Sequence, residues 1–171
     1  MDKKSISRRV LNRLLSLAAR ALPGSTTVRP FLHKLRGVRI TGKVFIGDDV
    51  YLENEYPECV ELDDGCQICL RSVLIAHTRG IGKICVQRDA FIGANCVIIA
   101  SPGRMLSIGK GAVVAASTTV SSDVPEGTLF GLEKAKPLAR VTVPLKMDTE
   151  YGEFLAGLRP IKKDSRSGGT S

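Results

Sequence analysis

The sequence contains no tryptophan, only two histidines and few other aromatic side chains, since Phe, Tyr and Trp together make up 5% of its 171 residues. It also lacks the zinc-finger, RRM and KH patterns that mark common nucleic-acid-binding domains. A nucleic-acid partner is therefore disfavoured. The net charge of +8 still indicates an anionic partner, such as a phosphorylated small molecule or an anionic lipid surface.

A metal site is also disfavoured, because the sequence lacks a complete set of cysteine and histidine ligands. Cys66 and Cys69 have the spacing of a zinc-binding pair, but no second pair and no nearby histidine completes the site. His33 and His77 are too few to form a three-histidine zinc site. An odd number of cysteines without a secretory signal favours reduced thiols in a cytoplasmic protein. The cysteines are Cys59, Cys66, Cys69, Cys85 and Cys96.

The sequence has no long apolar run, so it predicts no transmembrane span. Residues 5–22 instead place apolar side chains at helical spacing, and Arg13 and Arg20 interrupt any continuous apolar stretch. A serine at position 5 or 7 would begin this helix, and Pro23 would follow its end. Two interpretations stay open: the apolar face lies on an anionic membrane surface, or it packs on the rest of the protein.

What the sequence does contain is a six-residue repeat between residues 40 and 125. The repeats form four groups of three, and a small or β-branched residue usually stands four positions after each aliphatic one. Three repeats would make one turn of a triangular prism, with aliphatic side chains inside and small ones at the corners. The residues between groups would all leave the prism along one edge. The aliphatic positions are Ile40, Ile46, Leu52, Leu62, Ile68, Leu74, Val86, Ile92, Ile98, Ile108, Val114 and Val120.

The chain is therefore predicted to fold as an all-β solenoid, a parallel β-helix of about four turns, over residues 38–130. Residues 1–37 are assigned to the amphipathic helix and a linker. Residues 131–171 are assigned to a C-terminal arm that ends in a disordered tail, because its last residues are polar and small.

Several segments within residues 38–140 resemble the hexapeptide-repeat acyltransferases, whose fold is a left-handed parallel β-helix. They include "ITGKVFIGDDVYL", "VLIAH", "FIGANCVI" and "IGKGAVVAASTTVSSDVPEGTLFG". The sequence looks most like the sugar and polysaccharide O-acetyltransferases of the maltose and galactoside type. This resemblance implies a homotrimer that transfers an acyl group from acetyl-CoA to a hydroxyl of a sugar or surface-polysaccharide precursor, without a metal. The alternatives are N-acetylation of an amino sugar nucleotide and a non-catalytic, membrane-associated scaffold.

The resemblance implies that His77, which follows "VLIA", is the catalytic base, a role that suits an imidazole because its pKa lies near the working pH. The repeat register places Glu55 one turn before His77, at the spacing of about 4.8 Å between neighbouring strands. Glu55 is therefore a candidate to orient the histidine ring, and a backbone carbonyl is the alternative. His33 lies before the solenoid and is assigned a structural role.

The acetyl-CoA site of the family lies between subunits. Its pantetheine-contacting backbone amides match Ala94 and Ala116, and small residues there would let the coenzyme arm approach the main chain. The basic residue of the family's closing motif matches Lys136 or Lys134, and Arg140 is assigned to the same coenzyme site. These expectations place the protein in the cytoplasm, or on the inner face of the membrane if residues 5–22 bind lipid.

Overall fold

The computed structural model describes residues 5–132, 139–144, 146 and 148–160. The chain divides into two units, Met1–Leu132 and Glu133–Ser171.

The first unit begins with two helices. Helix α1 spans Ile6–Ala21 and begins at Ser5, whose hydroxyl accepts a hydrogen bond from the Arg8 backbone N–H, as the sequence predicted. Helix α2 spans Val28–Arg36, in the segment that the sequence analysis assigned to a linker. Pro30 makes a helix hard to recognise from the sequence, because proline disfavours helix interiors. It lies in the first turn of α2, however, where its missing N–H breaks no helical hydrogen bond.

Thirteen short strands and one 3-10 helix, Pro57–Cys59, follow in the first unit. The parallel strands form three sheets. Sheet 1 contains the first, fourth, seventh and tenth strands; sheet 2 the second, fifth, eighth, eleventh and thirteenth; and sheet 3 the third, sixth, ninth and twelfth. The strands are β1 Arg39–Ile40, β2 Phe45–Ile46, β3 Tyr51–Leu52, β4 Val60–Leu62, β5 Gln67–Ile68, β6 Val73–Ile75, β7 Lys83–Val86, β8 Phe91–Ile92, β9 Val97–Ile99, β10 Met105–Ile108, β11 Val113–Val114, β12 Thr119–Val120 and β13 Leu129–Phe130.

The predicted aliphatic positions form the core of this parallel β-solenoid. All twelve lie in strands, and all but the half-buried Ile40 are buried. The register stacks each position on its equivalent in the next turn, as in the pairs Ile68 with Ile92 and Leu74 with Ile98. The prediction of about four turns is therefore confirmed, and β13 begins a further one.

Small side chains fill the corners between the flat sheets. Cys66 and Cys96 occupy two of these positions and are fully buried. Burial raises the pKa of the Cys66 thiol to about 12, which keeps it protonated and unreactive. None of the five cysteines forms a disulfide.

One corner joins sheet 2 to sheet 3, and we call it the Ala94 edge (residues 47–50, 69–72, 93–96 and 115–118). One residue per turn adopts a left-handed backbone conformation here, with φ between 55° and 60°. Gly93 also lies on this edge, where a Cβ atom would come within 2.6 Å of the Ala116 nitrogen. Glycine is therefore required for the two turns to stack this closely. The left-handed residues are Asp49, Arg71, Asn95 and Ser117.

The helical segment covers the first turn of the solenoid. The Ile46 N–H donates to the Ser25 carbonyl, at 2.8 Å. Arg29 donates to the Ile46 carbonyl, at 3.1 Å, and Arg36 donates to the Leu52 carbonyl, also at 3.1 Å. The outer N–H and carbonyl of Ile46 and the carbonyl of Leu52 are thus satisfied without another strand.

Helix α1 turns its polar side towards the protein. Asn12, Ser16 and Ala19 are buried, whereas Ile6 and Leu14 are 79% and 59% exposed. The interpretation in which the apolar face of residues 5–22 packs on the rest of the protein is therefore wrong for the described chain. Neither α1 nor any other helix in the described ranges is long and apolar enough to cross a membrane.

The second unit contains a small hairpin and a helix. Strand β14, Ala139–Val141, pairs antiparallel with β15, Leu158–Pro160. Helix α3, Tyr151–Ala156, lies between them in the chain. The predicted disordered tail, at residues 162–171, lies outside the described residues.

Candidate functional site

His77 lies at the corner that joins sheet 3 to sheet 1, just beyond the end of β6. We call this corner the His77 edge (residues 53–59, 76–82, 100–104 and 121–124). The residues that follow His77 form a tight excursion, because His77 and Ile81 form an antiparallel bridge. The His77 side chain is 31% exposed, so its ring is supported by the protein and still open to a substrate.

Glu53 holds the backbone on both sides of this site. It is only 4% exposed. One carboxylate oxygen accepts from the Ala76 and His77 N–H groups, at 3.1 and 3.0 Å, and the other accepts from the Glu55 and Tyr56 N–H groups, at 2.8 and 3.4 Å. A single buried carboxylate therefore joins the loop after β3 to the end of β6. It fixes the backbone positions of both His77 and Glu55.

Arg36 of α2 supports the Glu53 loop from inside. Its buried guanidinium donates to the Glu53 carbonyl, at 2.6 Å, and to the Asn54 side chain, at 3.3 Å. On its other side it contacts Nδ1 of His33, at 3.0 Å. Burial, followed by the charge of Arg36, lowers the pKa of His33 to about 3. His33 is thus a neutral core residue, in agreement with its assigned structural role.

The low pKa of His33 predicts a specific acid sensitivity. In the unfolded chain the histidine would titrate near its ordinary value of 6.5, so between about pH 6.5 and 3 the unfolded state binds a proton that the folded state does not. The free energy of unfolding should therefore fall by about 2 kcal/mol between pH 7 and 5 because of this residue. Denaturant unfolding at both pH values should show this fall in the wild type and a smaller one in His33→Gln. Equal falls in the two proteins would contradict the prediction.

Two side chains flank the His77 ring. The Glu55 carboxylate lies 3.6 Å from Nδ1 of His77, and its other oxygen pairs with Arg9 of α1 at 2.5 Å. Tyr56 packs edge-on against the imidazole, with 4.9 Å between ring centroids. The predicted register thus brings Glu55 next to His77, at ion-pair distance but slightly beyond a direct hydrogen bond.

A groove of about 940 Å³ opens beside His77, between α1 and the outer surface of sheet 3. Its volume lies in the range of small-molecule sites. Aliphatic side chains and three arginines line it together, so it suits a ligand that combines apolar and anionic or hydroxyl groups. The lining includes Ile6, Arg9, Val10, Arg13, Arg20, Tyr51, Glu53, Asn54, Glu55, Val73, Ile75 and His77.

The two alanines of the predicted coenzyme site lie on a different edge from His77. Ala94 and Ala116 are equivalent positions of adjacent turns, because Ile92 pairs with Val114. Within the described chain, the backbone N–H of neither alanine donates a hydrogen bond. The Ala94 edge therefore offers two stacked donors, and sheet 3 separates them from His77.

The basic residues predicted to bind the coenzyme lie in the second unit. Lys134 and Lys136 are outside the described residues. Arg140 is exposed on β14, opposite Arg159 of β15. The described residues contain no group of three His, Cys, Asp or Glu side chains that could hold a metal ion.

Sequence reasoning missed three parts of this site. Glu53 directly follows the interior Leu52, so its carboxylate was not expected to reach the chain one turn away. Arg9 and Arg13 line the groove, and nothing in the sequence pattern of residues 5–22 indicates that they lie next to the solenoid. A charged residue at the end of a repeat, where the chain leaves the regular prism, was the signal that could have identified Glu53.

Known proteins share both the sequence pattern and the fold, although no family model matches. YvoF, a candidate acetyltransferase of Bacillus subtilis (strain 168), is 32% identical over 108 residues, or 60% of this chain and 58% of YvoF. The bifunctional protein GlmU of Brevibacillus brevis is 29% identical over 117 residues, covering 61% of this chain and 24% of GlmU. The 2,3,4,5-tetrahydropyridine-2,6-dicarboxylate N-acetyltransferase of Staphylococcus aureus (strain bovine RF122 / ET3-1) is 33% identical over 78 residues, covering 46% of this chain and 30% of the enzyme.

Among solved structures, a hexapeptide-repeat-containing acetyltransferase of Vibrio cholerae, complexed with acetyl coenzyme A, has a TM-score of 0.54 and 20% identity, covering 77% of this chain and 87% of that protein. This match identifies the fold as the left-handed β-helix of hexapeptide-repeat proteins. The chain spans at most 58% of the length of the three sequence relatives. The chain is therefore similar in sequence to acetyltransferases and similar in fold to a hexapeptide-repeat protein.

Proposed function

We propose that this protein is an acetyl-CoA-dependent O-acetyltransferase that acts on a hydroxyl of a sugar or surface-polysaccharide precursor. The observation that carries the proposal is the His77 site: a half-exposed imidazole whose backbone is held by the buried Glu53 and whose ring faces a groove. The acetyltransferase relatives and the neighbour that binds acetyl coenzyme A support the same reaction class.

The proposed reaction uses His77 as general base. Because Nδ1 faces Glu55, Nε2 is the nitrogen that would take the proton from the acceptor hydroxyl. The hydroxyl oxygen then bonds to the acetyl carbonyl carbon, the carbon–sulfur bond of the thioester breaks, and the departing thiolate receives the proton back through the imidazolium. Arg9, which pairs with Glu55, would limit how strongly that carboxylate acts on the ring.

The coenzyme is proposed to lie along the Ala94 edge, where the free N–H groups of Ala94 and Ala116 would donate to the amide carbonyls of its pantetheine arm. Lys134, Lys136 and Arg140 are proposed to bind its phosphates. Sheet 3 separates this edge from His77, so the proposal places the two edges of neighbouring subunits together in a homotrimer. Acetyl-CoA is a cytoplasmic metabolite, and we propose that compartment for the protein.

A second candidate is transfer to an amine, because an N-acetyltransferase is among the relatives. The two candidates differ in their products, since an O-acetyl ester is cleaved by mild base and an amide is not. A non-catalytic scaffold would give no product at all.

The test is an acceptor screen with the full chain and acetyl-CoA. Free coenzyme A is measured together with product mass, for hydroxyl-only saccharides, lipid-linked saccharides and amino sugar nucleotides, and acceptor-free hydrolysis is subtracted. We expect a base-labile acetyl product with a saccharide, formed at least about 10²-fold more slowly by His77→Ala. Base-stable products alone would establish the amine reaction, and acetyl-CoA binding without any transfer would overturn the catalytic proposal.

A further inference from the structure

The two N-terminal helices carry apolar side chains that nothing in the described chain covers. On α1 these are exposed by 44% to 79%. They recur at helical spacing on the side opposite the buried Asn12 and Ser16, so they form one continuous stripe along the helix. The stripe contains Ile6, Val10, Leu11, Leu14 and Leu17.

Helix α2 repeats this arrangement. Val28, Phe31 and Leu35 lie three and four residues apart and are exposed by 39% to 59%. The two helices pack on each other, and Arg8 of α1 donates to the Leu35 carbonyl at 3.2 Å. We call the eight exposed side chains of α1 and α2 the apolar face. Exposed apolar side chains grouped in this way mark an interaction surface.

Positive charge is concentrated in the same segment. Residues 1–47 contain eleven of the 25 Lys and Arg residues and one of the 17 acidic residues, and no acidic residue lies between Asp2 and Asp48. Arg13 and Lys34 border the apolar face, and both are exposed. The partner of this surface must therefore accept apolar and cationic groups side by side.

We propose that the apolar face docks the protein on an anionic lipid bilayer, with α1 and α2 lying in the plane of the interface. A bilayer offers acyl chains to the apolar side chains and anionic headgroups to the bordering cations. A second copy docked through the same face would instead bring two positively charged segments together. The helices lie on the bilayer and do not cross it, since none in the described ranges is long enough to do so.

This docking also affects the groove. Helix α1 contributes one wall of the groove beside His77 through Arg9, Val10 and Arg13. Docking therefore brings the groove to the membrane surface, where an acceptor attached to lipid would be concentrated. The lipid contact itself does not depend on which reaction His77 performs, so it is tested without turnover.

The experiment is vesicle co-sedimentation of the full chain. Pure phosphatidylcholine vesicles are compared with vesicles that also contain phosphatidylglycerol, at low and at high salt. We expect binding to the anionic vesicles that weakens with salt. Leu14→Glu with Leu17→Glu should weaken it by at least about tenfold, because both side chains leave water only when the helix is docked. Arg13→Glu with Lys34→Glu should weaken binding to anionic vesicles specifically.

The matched control is Leu129→Glu with Leu132→Glu, which places the same two charges at leucines that are 77% and 76% exposed. It should bind vesicles as the wild type does. Circular dichroism checks that every variant is folded, and light scattering reports its mass. The proposal would be overturned if the wild type did not bind anionic vesicles, or if the leucine double variant bound them as well as the wild type does. A loss of oligomer mass in that variant, with no vesicle binding by the wild type, would assign the apolar face to a subunit contact instead.

Discussion

His77→Ala is expected to lower acetyl transfer to a confirmed acceptor by about 10² to 10⁴-fold while leaving acetyl-CoA affinity nearly unchanged. The imidazole would act on the acceptor hydroxyl, and the backbone groups proposed to hold the pantetheine arm lie on the Ala94 edge, beyond sheet 3. Steady-state kinetics should therefore show the loss in kcat, and calorimetry should show an unchanged coenzyme Kd. Wild-type turnover in this variant would remove His77 from the mechanism.

Glu55→Gln provides the comparison for His77. The Glu55 carboxylate lies 3.6 Å from Nδ1 and is shared with Arg9, so its removal should cost clearly less than the removal of the imidazole. A shift in the pH profile of kcat would identify Glu55 as the residue that orients the ring. An unchanged rate and profile would assign that role to a backbone group or to the substrate.

Glu53→Gln is expected to lower turnover by about 10 to 10²-fold, because misplacement of a catalytic group by about 1 Å has effects of that size. The two oxygens of the Glu53 carboxylate accept hydrogen bonds from four backbone N–H groups. The amide of a glutamine has only one oxygen that can accept. Two of these buried donors would face an NH₂ group, at a cost of about 1 to 3 kcal/mol each. Kinetics and denaturant unfolding measure the two effects separately.

Glu61→Gln is the control for Glu53. Glu61 pairs with Arg39 on the surface, and exposed ion pairs contribute about 0 to 1 kcal/mol, so neither turnover nor stability should change much. Glu53 is a positioning residue, which means that Glu53→Gln should lower kcat and leave coenzyme Kd unchanged. Lower stability together with an unchanged kcat would show that Glu53 supports the fold only.

The solenoid could be predicted because its pattern is both local and repeated. An aliphatic residue at every sixth position, as at Ile40, Ile46 and Leu52, is enough to specify an interior that is the same in each turn. The pairing of Glu55 with His77 followed from the same register, since translation by one turn relates the two positions. These predictions needed no knowledge of long-range packing beyond the repeat.

The parts that could not be predicted depend on contacts outside the repeat. The Glu53 carboxylate reaches an adjacent turn through a loop that departs from hexad geometry, and no periodicity describes that loop. Helix α1 shows the same limit, because its pattern identified an apolar face but not the direction in which that face points. An amphipathic helix usually buries its apolar side, whereas α1 buries the polar Asn12 and Ser16 against the protein.

The hydrogen bonds from the helical segment to β2 and β3 have a consequence for solubility. A parallel β-helix ends in open strand edges, and an uncovered edge can pair with the edge of another molecule. Ser25, Arg29 and Arg36 bond to outer backbone groups of β2 and β3 in the first turn. A protein that lacked residues 1–37 would expose those groups, and its solenoids could then stack end to end into fibres. The N-terminal helices thus protect part of one solenoid end from pairing with a strand edge of another molecule.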